Sequence, residues 1–257
     1  MEIIINNNDK SEQFITIFQN IKLYCDHFNI ILDNEKFYIQ GMDPSHISIF
    51  EINLTKEWFD VYNIDKNVTM GLSSNIFSKI LTAWSLNHSI KLYIEKEDHL
   101  NISFEKIADK STEYNKYFEI PLMDIDSEHL SVPEQEYTLD IEFDSKKFKK
   151  IVDELSLIGE RVNIKCNENE INAICESLEA NMKINIPFDD IESYSIEEHE
   201  TIDNTFSLKF IKNMCMYSKL TSLMFIHITE GQPLQMKYTL ENNSYVRFYL
   251  APTIDDN

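Results

Sequence analysis

Apolar residues recur at the spacing i, i+3, i+4, i+7 in three stretches of the chain. Phe14, Ile17, Phe18 and Ile21 do so within residues 11–25. Phe77, Ile80, Leu81 and Trp84 do so within 74–86, and Phe148, Ile151, Val152 and Leu155 within 144–158. That spacing places each set on one face of a helix. A fourth, looser helical pattern runs through 206–219, and Ser73 or Ser74 is the natural N-cap of the second helix. Between the helices lie short runs in which apolar and polar residues alternate: 36–40, 46–54, 89–95, 101–105, 138–143, 161–165, 170–174, 182–186, 223–229, 234–240 and 245–250. Alternation of this kind marks half-buried antiparallel strands. Turn residues separate them at Asp33-Asn34, 167–169, 231–233 and 242–244.

The first and third helical patterns, which start at Phe14 and at Phe148, are offset by close to half of the 257-residue chain. Two helices fall in each half, in similar order among the strands. The pattern therefore predicts an α+β protein of two similar units. The expected division is residues 1–121, a connector at 122–137, and 138–257. The connector is acidic, contains Pro133 and lacks helical periodicity.

Composition is that of a folded protein, with 43% hydrophobic and 26% charged residues. Charge alters the picture more. The chain has 23 Lys+Arg against 44 Asp+Glu, a net charge of −21. Taken evenly, that argues against a polyanionic partner. The charge is not even, however. The four helical stretches carry nine lysines (Lys22, Lys79, Lys146, Lys147, Lys149, Lys150, Lys209, Lys212 and Lys219) and four acids (Glu12, Asp144, Asp153 and Glu154), a net +5. The remainder carries −26. Basic helices on an acidic body offer a face for phosphates while the rest repels them. Only Arg161 and Arg247 supply guanidinium groups, so contact would be with phosphates and independent of base sequence.

Several chemistries are missing. Four glycines (Gly41, Gly71, Gly159 and Gly231) cannot build GxGxxG or GxxxxGK[ST] loops. The seven histidines and four cysteines form no zinc-ligand spacing, and no GxSxG or kinase signature occurs. A Cys215–His227 nucleophile pair is the one catalytic alternative in the residue types, and buried free thiol is the more ordinary fate. No cofactor and no metal are expected. The cysteines are unpaired in pattern, no signal peptide is read, and no stretch approaches 18 apolar residues, so an intracellular protein is expected.

The segments GMDPSHISIFEINL (41–54), LMDIDSEHLSVPEQEY (122–137) and YLAPTIDD (249–256) resemble the eukaryotic sliding clamp family, proliferating cell nuclear antigen. Asp65-Lys66-Asn67, Met70-Gly71 and LSLIG (155–159) strengthen the resemblance, which is collinear along nearly the whole chain. It implies two clamp domains with antiparallel sheets outside and helices inside, joined head to tail in a homotrimeric ring around duplex DNA. Such a ring is a polymerase processivity factor without catalysis, opened by an ATP-driven loader. Lys22, Lys79, Lys150 and Lys209 match basic positions lining the hole. Two basic positions of the family appear here as Asp153 and Met216, and another near the first helix as Thr16; Lys146, Lys147, Lys149, Lys212 and Lys219 are the lysines expected to compensate. Lys66 matches a basic position outside the helices. The resemblance also implies a partner-peptide pocket of Met42, His46, Ile47, Leu130, Val132, Pro133, Pro233, Tyr249, Ala251, Pro252 and Ile254. Subunit contact is implied for strands near 111–119 and 176–184, and the family's modified lysine is replaced by Glu168.

Three rivals are set against this reading: a checkpoint-type heterotrimeric clamp subunit, an open viral processivity factor, and an enzyme using acidic residues. The expected compartment is the nucleus, or a viral factory in an infected cell.

Overall fold

The computed structural model describes residues 1–107, 114–126, 130 and 135–253. It divides into two units: Met1–Pro44, Glu51–Leu130 and Leu240–Val246 form one, and Ser45–Phe50, Ser131–Thr239 and Arg247–Asn257 the other.

The first unit is built from β1 (Glu2–Ile5), α1 (Asn8–Ile21), β2 (His27–Leu32), β3 (Lys36–Met42), most of β4 (Ser48–Thr55), β5 (Val61–Asn63), β6 (Val68–Ser73), α2 (Ser74–Leu81), β7 (His88–Tyr93), β8 (His99–Lys106) and β9 (Lys116–Pro121). The second repeats that order: β10 (Leu139–Asp144), α3 (Ser145–Leu155), β11 (Arg161–Cys166), β12 (Ile171–Glu176), β13 (Asn181–Asn185), β14 (Ser193–Ile196), β15 (Ile202–Ser207), α4 (Leu208–Cys215), β16 (Leu223–Ile228), β17 (Leu234–Thr239) and β18 (Tyr245–Leu250). Strand order repeats as well. One layer runs β5-β1-β7-β8-β9 in the first unit and β14-β10-β16-β17-β18 in the second. The other runs β4-β3-β2-β6 and β13-β12-β11-β15. Register keeps step, because Leu32 faces Phe37 across the β2–β3 hairpin and Cys166 faces Ile171 across β11–β12. Leu32 and Cys166 are separated by the same interval as Phe37 and Ile171, and that interval also separates Phe14 from Phe148.

All four expected helices form, with ends moved by local hydrogen bonds. Asn7 caps α1 by accepting from the backbone amides of Asp9 and Lys10, so the helix starts at Asn8 and not at 11. The second helix stops at Leu81, short of 86. There Thr82 Oγ1 donates to the Lys79 carbonyl at 2.6 Å, and the Thr82 amide is shared between the carbonyls of Ser78 and Lys79. Asp144 caps α3 through the amides of Lys146 and Lys147. Phe206 and Ser207, expected in the fourth helix, end β15 instead.

Strands β1, β2, β5, β6, β9, β14 and β15 are absent from the alternating runs. The middles of β2 and β6 are buried on both faces, and each carries a residue unusual inside a strand there, Asn29 in β2 and Gly71 in β6. The strand expected near 111–119 begins at Lys116, and 111–113 lie outside the described residues. The one expected near 176–184 runs Asn181–Asn185, because 177–180 turn the chain.

The two cores are filled differently. Phe14, Phe18, Phe28, Phe37 and Phe77 interlock in the first unit, with ring centroids 4.6 Å apart for Phe14–Phe18 and 4.9 Å for Phe18–Phe77. The equivalent positions of the second unit, at the interval of the repeat, hold Phe148, Val152, Val162, Ile171 and Ile211. These five side chains line an apolar cavity of about 40 Å³ inside the second unit. Four lost rings account for the void, since aliphatic side chains of smaller volume cannot close the same frame.

Candidate nucleic-acid interface and peptide site

Each unit pairs its two helices, α1 with α2 and α3 with α4. Their apolar faces turn inward, which leaves the lysines outside. On α4, Leu208, Ile211 and Cys215 are buried, while Lys209, Lys212 and Met216 are exposed at helical spacing. On α3, Phe148, Val152 and Leu155 are buried and Lys146, Lys147 and Lys150 exposed, with Lys149 half-buried. In the first unit Lys22 and Lys79 are exposed, and Thr16 is half-buried on α1. Lys219 is exposed beyond the end of α4, and Lys66 is exposed in the turn between β5 and β6.

The lysines differ in what they touch. Lys149 Nζ donates to Asp153 Oδ2 at 2.5 Å, and Lys212 Nζ lies 3.9 Å from the other oxygen of the same carboxylate. Lys150 lies 3.8 Å from Glu154, and Lys147 donates to Asp190 at 3.2 Å. Among the described residues no ion pair holds Lys22, Lys79, Lys146 or Lys209; the Lys209 ammonium lies over the Phe210 ring, 5.7 Å from its centroid. The pairing acid Asp190 went unread in the sequence, because it lies far along the chain from Lys147 and only folding brings them together.

The residues of the expected peptide pocket divide between the units. In the first, Met42 is half-buried at the end of β3. Leu130 is held by a reciprocal pair, its amide donating to Gln40 Oε1 at 2.9 Å and its carbonyl accepting from Gln40 Nε2 at 2.8 Å. In the second, His46 takes a left-handed turn (φ 59°) and Ile47 is 39% exposed. The Ala251 amide donates to the Ile47 carbonyl at 3.0 Å, bringing those two together. Tyr249 is buried with the Arg247 guanidinium over its ring, and Pro233, Ala251 and Pro252 are half-buried. The tail is fixed by the Thr253 amide, which donates to the Thr205 carbonyl at 2.8 Å. Val132, Pro133 and Ile254 lie outside the described residues.

The connector has anchors that the sequence reading missed. Asn29 Nδ2 donates to the Ile125 carbonyl at 3.0 Å, and the Met123 amide donates to the Gly71 carbonyl at 2.9 Å. A Cβ at Gly71 would stand 2.2 Å from the Met123 carbonyl oxygen. Glycine inside a strand is the one sequence signal for such a close approach.

The groups that could do chemistry are set against it. Burial pushes the Cys25, Cys166 and Cys215 thiols up to about 12, the opposite of an activated nucleophile. His227 is engaged by Asp140 and lies against the Tyr137 ring, with centroids 5.2 Å apart. Glu168 is exposed and accepts from the His199 amide at 2.9 Å. Among the described residues no group of three or more His, Cys, Asp or Glu side chains could hold a metal ion, and no helix is long and apolar enough to cross a membrane.

Comparison with known proteins gives a consistent result. The family profile described as proliferating cell nuclear antigen, N-terminal domain, matches residues 7–129, and the profile for its C-terminal domain matches 131–253. The chain is 34% identical over 229 residues to the proliferating cell nuclear antigen of Chaetomium thermophilum, covering 85% of this chain and 86% of that protein. It is 24% identical over 219 residues to proliferating cell nuclear antigen 2 of Drosophila melanogaster, covering 85% of each. A chain in the crystal structure of the PCNA2–PCNA3 complex from Sulfolobus tokodaii has the same fold. It matches with a TM-score of 0.86 over 98% of this chain and 99% of that one, at 19% identity.

Proposed function

The chain belongs to the proliferating cell nuclear antigen family of DNA sliding clamps, and from that premise we propose that three copies close into a ring around duplex DNA. Clamps of this family are processivity factors in DNA replication. The observation that carries the proposal is the internal repeat: the same order of nine strands and two helices occurs twice, and each helix pair turns lysines outward.

Residues 1–121 and 138–257 are the two clamp domains, linked by 122–137. The outer edges of β9 and β13 are the subunit contacts, paired head to tail between copies. Each is the last strand of its layer among the described residues, so each carries backbone amides and carbonyls that lack a strand partner there. Tyr114 and Tyr117, 82% and 63% exposed, stand beside the β9 edge as apolar surface for such a contact.

DNA is held through phosphates by Lys22, Lys79, Lys146 and Lys209, with Lys149, Lys150 and Lys212 alongside carboxylates. Ammonium groups on long stems suit contacts that must break as the ring slides. Polymerases, the loader and other clients dock by short peptides at Met42, His46, Ile47, Leu130, Val132, Pro133, Pro233, Tyr249, Ala251, Pro252 and Ile254. The compartment is the nucleus, or a viral factory if the source is a virus.

Light scattering tests the assembly. A homotrimer of the 30.3 kDa chain has a mass of about 91 kDa. A stable monomer of one chain mass would overturn the homotrimer and favour a heterotrimeric clamp subunit or an open processivity factor.

A further inference from the structure

We propose that Asp153 is a built-in competitor for DNA phosphate, holding Lys149 and Lys212 away from the backbone so that the second domain grips more weakly than its lysine content allows. The inference rests on the clamp reading and deepens it, because it assigns the two helix pairs unequal shares of the DNA contact.

The geometry is specific to this carboxylate. Asp153 is on the last full turn of α3, one turn after Lys149, and its two oxygens serve two helices. One accepts from Lys149 of α3 at 2.5 Å and the other lies 3.9 Å from Lys212 of α4. The three side chains are 41%, 32% and 51% exposed, so water screens them less than it screens the surface pair Lys150–Glu154, where the lysine is 78% exposed. A phosphate reaching either ammonium must displace a carboxylate already in place and then lie beside its negative charge. At Lys150 the same exchange costs less, because its ammonium is more exposed and 3.8 Å from Glu154. The first unit has no counterpart. The position equivalent to Asp153 there is Gln19, which is neutral, and among the described residues neither Lys22 nor Lys79 has an ion pair. The helical stretches of the second unit carry more lysines than those of the first, but these are not available in proportion.

The physical consequence is a shallow salt dependence. Each lysine that neutralises a phosphate releases about 0.9 of a counterion, and the slope of log K against log salt counts them. With Asp153 in place, Lys149 and Lys212 contribute less to that slope than Lys22 and Lys79 do.

The test is the binding of the full-length protein to a short duplex, followed by fluorescence anisotropy at several salt concentrations. Asp153→Asn keeps the shape and removes the charge. It should tighten binding at low salt and steepen the slope by about 1 to 2 for each subunit in contact. Glu154→Gln should leave the slope within error of the parent. A second arm does not depend on the Asp153 variant folding: Lys22→Met with Lys79→Met in the parent should weaken binding more than Lys149→Met with Lys212→Met does. The Lys149 and Lys212 double variant in the Asp153→Asn background should erase the gain. An unchanged slope in Asp153→Asn, or a loss from the Lys149 and Lys212 double variant as large as that from the Lys22 and Lys79 double variant, overturns the proposal. A parent with no salt-dependent binding to the duplex also overturns the proposal, whereas failure of the clamp reading shows as a stable monomer in light scattering, and the two failures are thereby distinguished.

Discussion

At the scale of single residues, the sequence exposes what has a local pattern and hides what does not. The cap at Ser73 follows from residue type beside a periodic run, whereas Asp144, expected inside the third helix, proves to be its cap. The clasp of Gln40 on Leu130 and of Asn29 on Ile125 joins residues 90 and 96 positions apart, and no local pattern announces it. Gly71 was visible only as one of four glycines, because β6 was not read as a strand. The structure explains it, and Gly71→Ala should push the Met123 carbonyl out of place, with a loss of about 1 to 3 kcal/mol in stability and faster proteolysis within 122–137. Unchanged melting and cleavage would mean the connector adjusts without cost. At Ile47 a carboxylate would sit on an exposed apolar position. Ile47→Asp is therefore expected to abolish binding of a labelled partner peptide while the mass in solution stays that of the parent. Asp203 links β11 to β15 by accepting from Lys165 at 2.8 Å. The Lys165 ammonium first, and the Asn163 amide next, hold its carboxyl below the ordinary carboxylate range. The pair's stabilisation is therefore complete above that range and is lost as pH falls through the lowered value. Because the pair is exposed, Asp203→Asn should flatten the acid side of the stability profile by no more than about 1 kcal/mol.

At the scale of elements, helices were legible because each buries one face of a 3.6-residue repeat. Strands were legible less completely: β2 and β6 were missed, with Asn29 and Gly71 in their buried middles. Packing within elements was not legible at all: the same helix pattern starts at Phe14 and at Phe148, yet one core is filled by rings and the other keeps a void. That difference sets opposite expectations for the two units. Phe18, fully buried against Phe14 and Phe77, leaves a large hole if shortened. Phe18→Val should cost about 2 to 4 kcal/mol. Its counterpart Val152 borders the cavity of about 40 Å³, and at about 24 cal/mol per Å³ filling that space is worth at most about 1 kcal/mol. Val152→Leu should raise the melting temperature by a few degrees. Calorimetry that showed Val152→Leu to be destabilising would mean the void closes in solution or that leucine meets the wall.

At the scale of the whole molecule, the net charge of −21 misleads until it is partitioned, and the partition was available from the sequence once the helices were placed. What the sequence left unread is which lysines are already neutralised, since the pairing of Lys147 with Asp190 and of Lys212 with Asp153 crosses between elements. The charge distribution also decides how a clamp should hold DNA. An acidic body with a modest basic face gives weak electrostatic affinity, and that affinity falls as salt rises. Closure, by contrast, does not depend on salt, because a ring threaded on a circle has no end to leave by. A loaded clamp should therefore stay on nicked circular DNA at salt that abolishes anisotropy binding, and should be lost within seconds when the circle is cut once. Tyr117, 63% exposed on the β9 edge, supplies the control. Tyr117→Asp should weaken closure and reduce retention on circles while leaving the low-salt affinity for a short duplex within a few-fold of the parent. Retention that falls with salt to the same extent on circular and linear DNA would mean that charge alone holds the protein, and the closed ring would have to be abandoned for an open form.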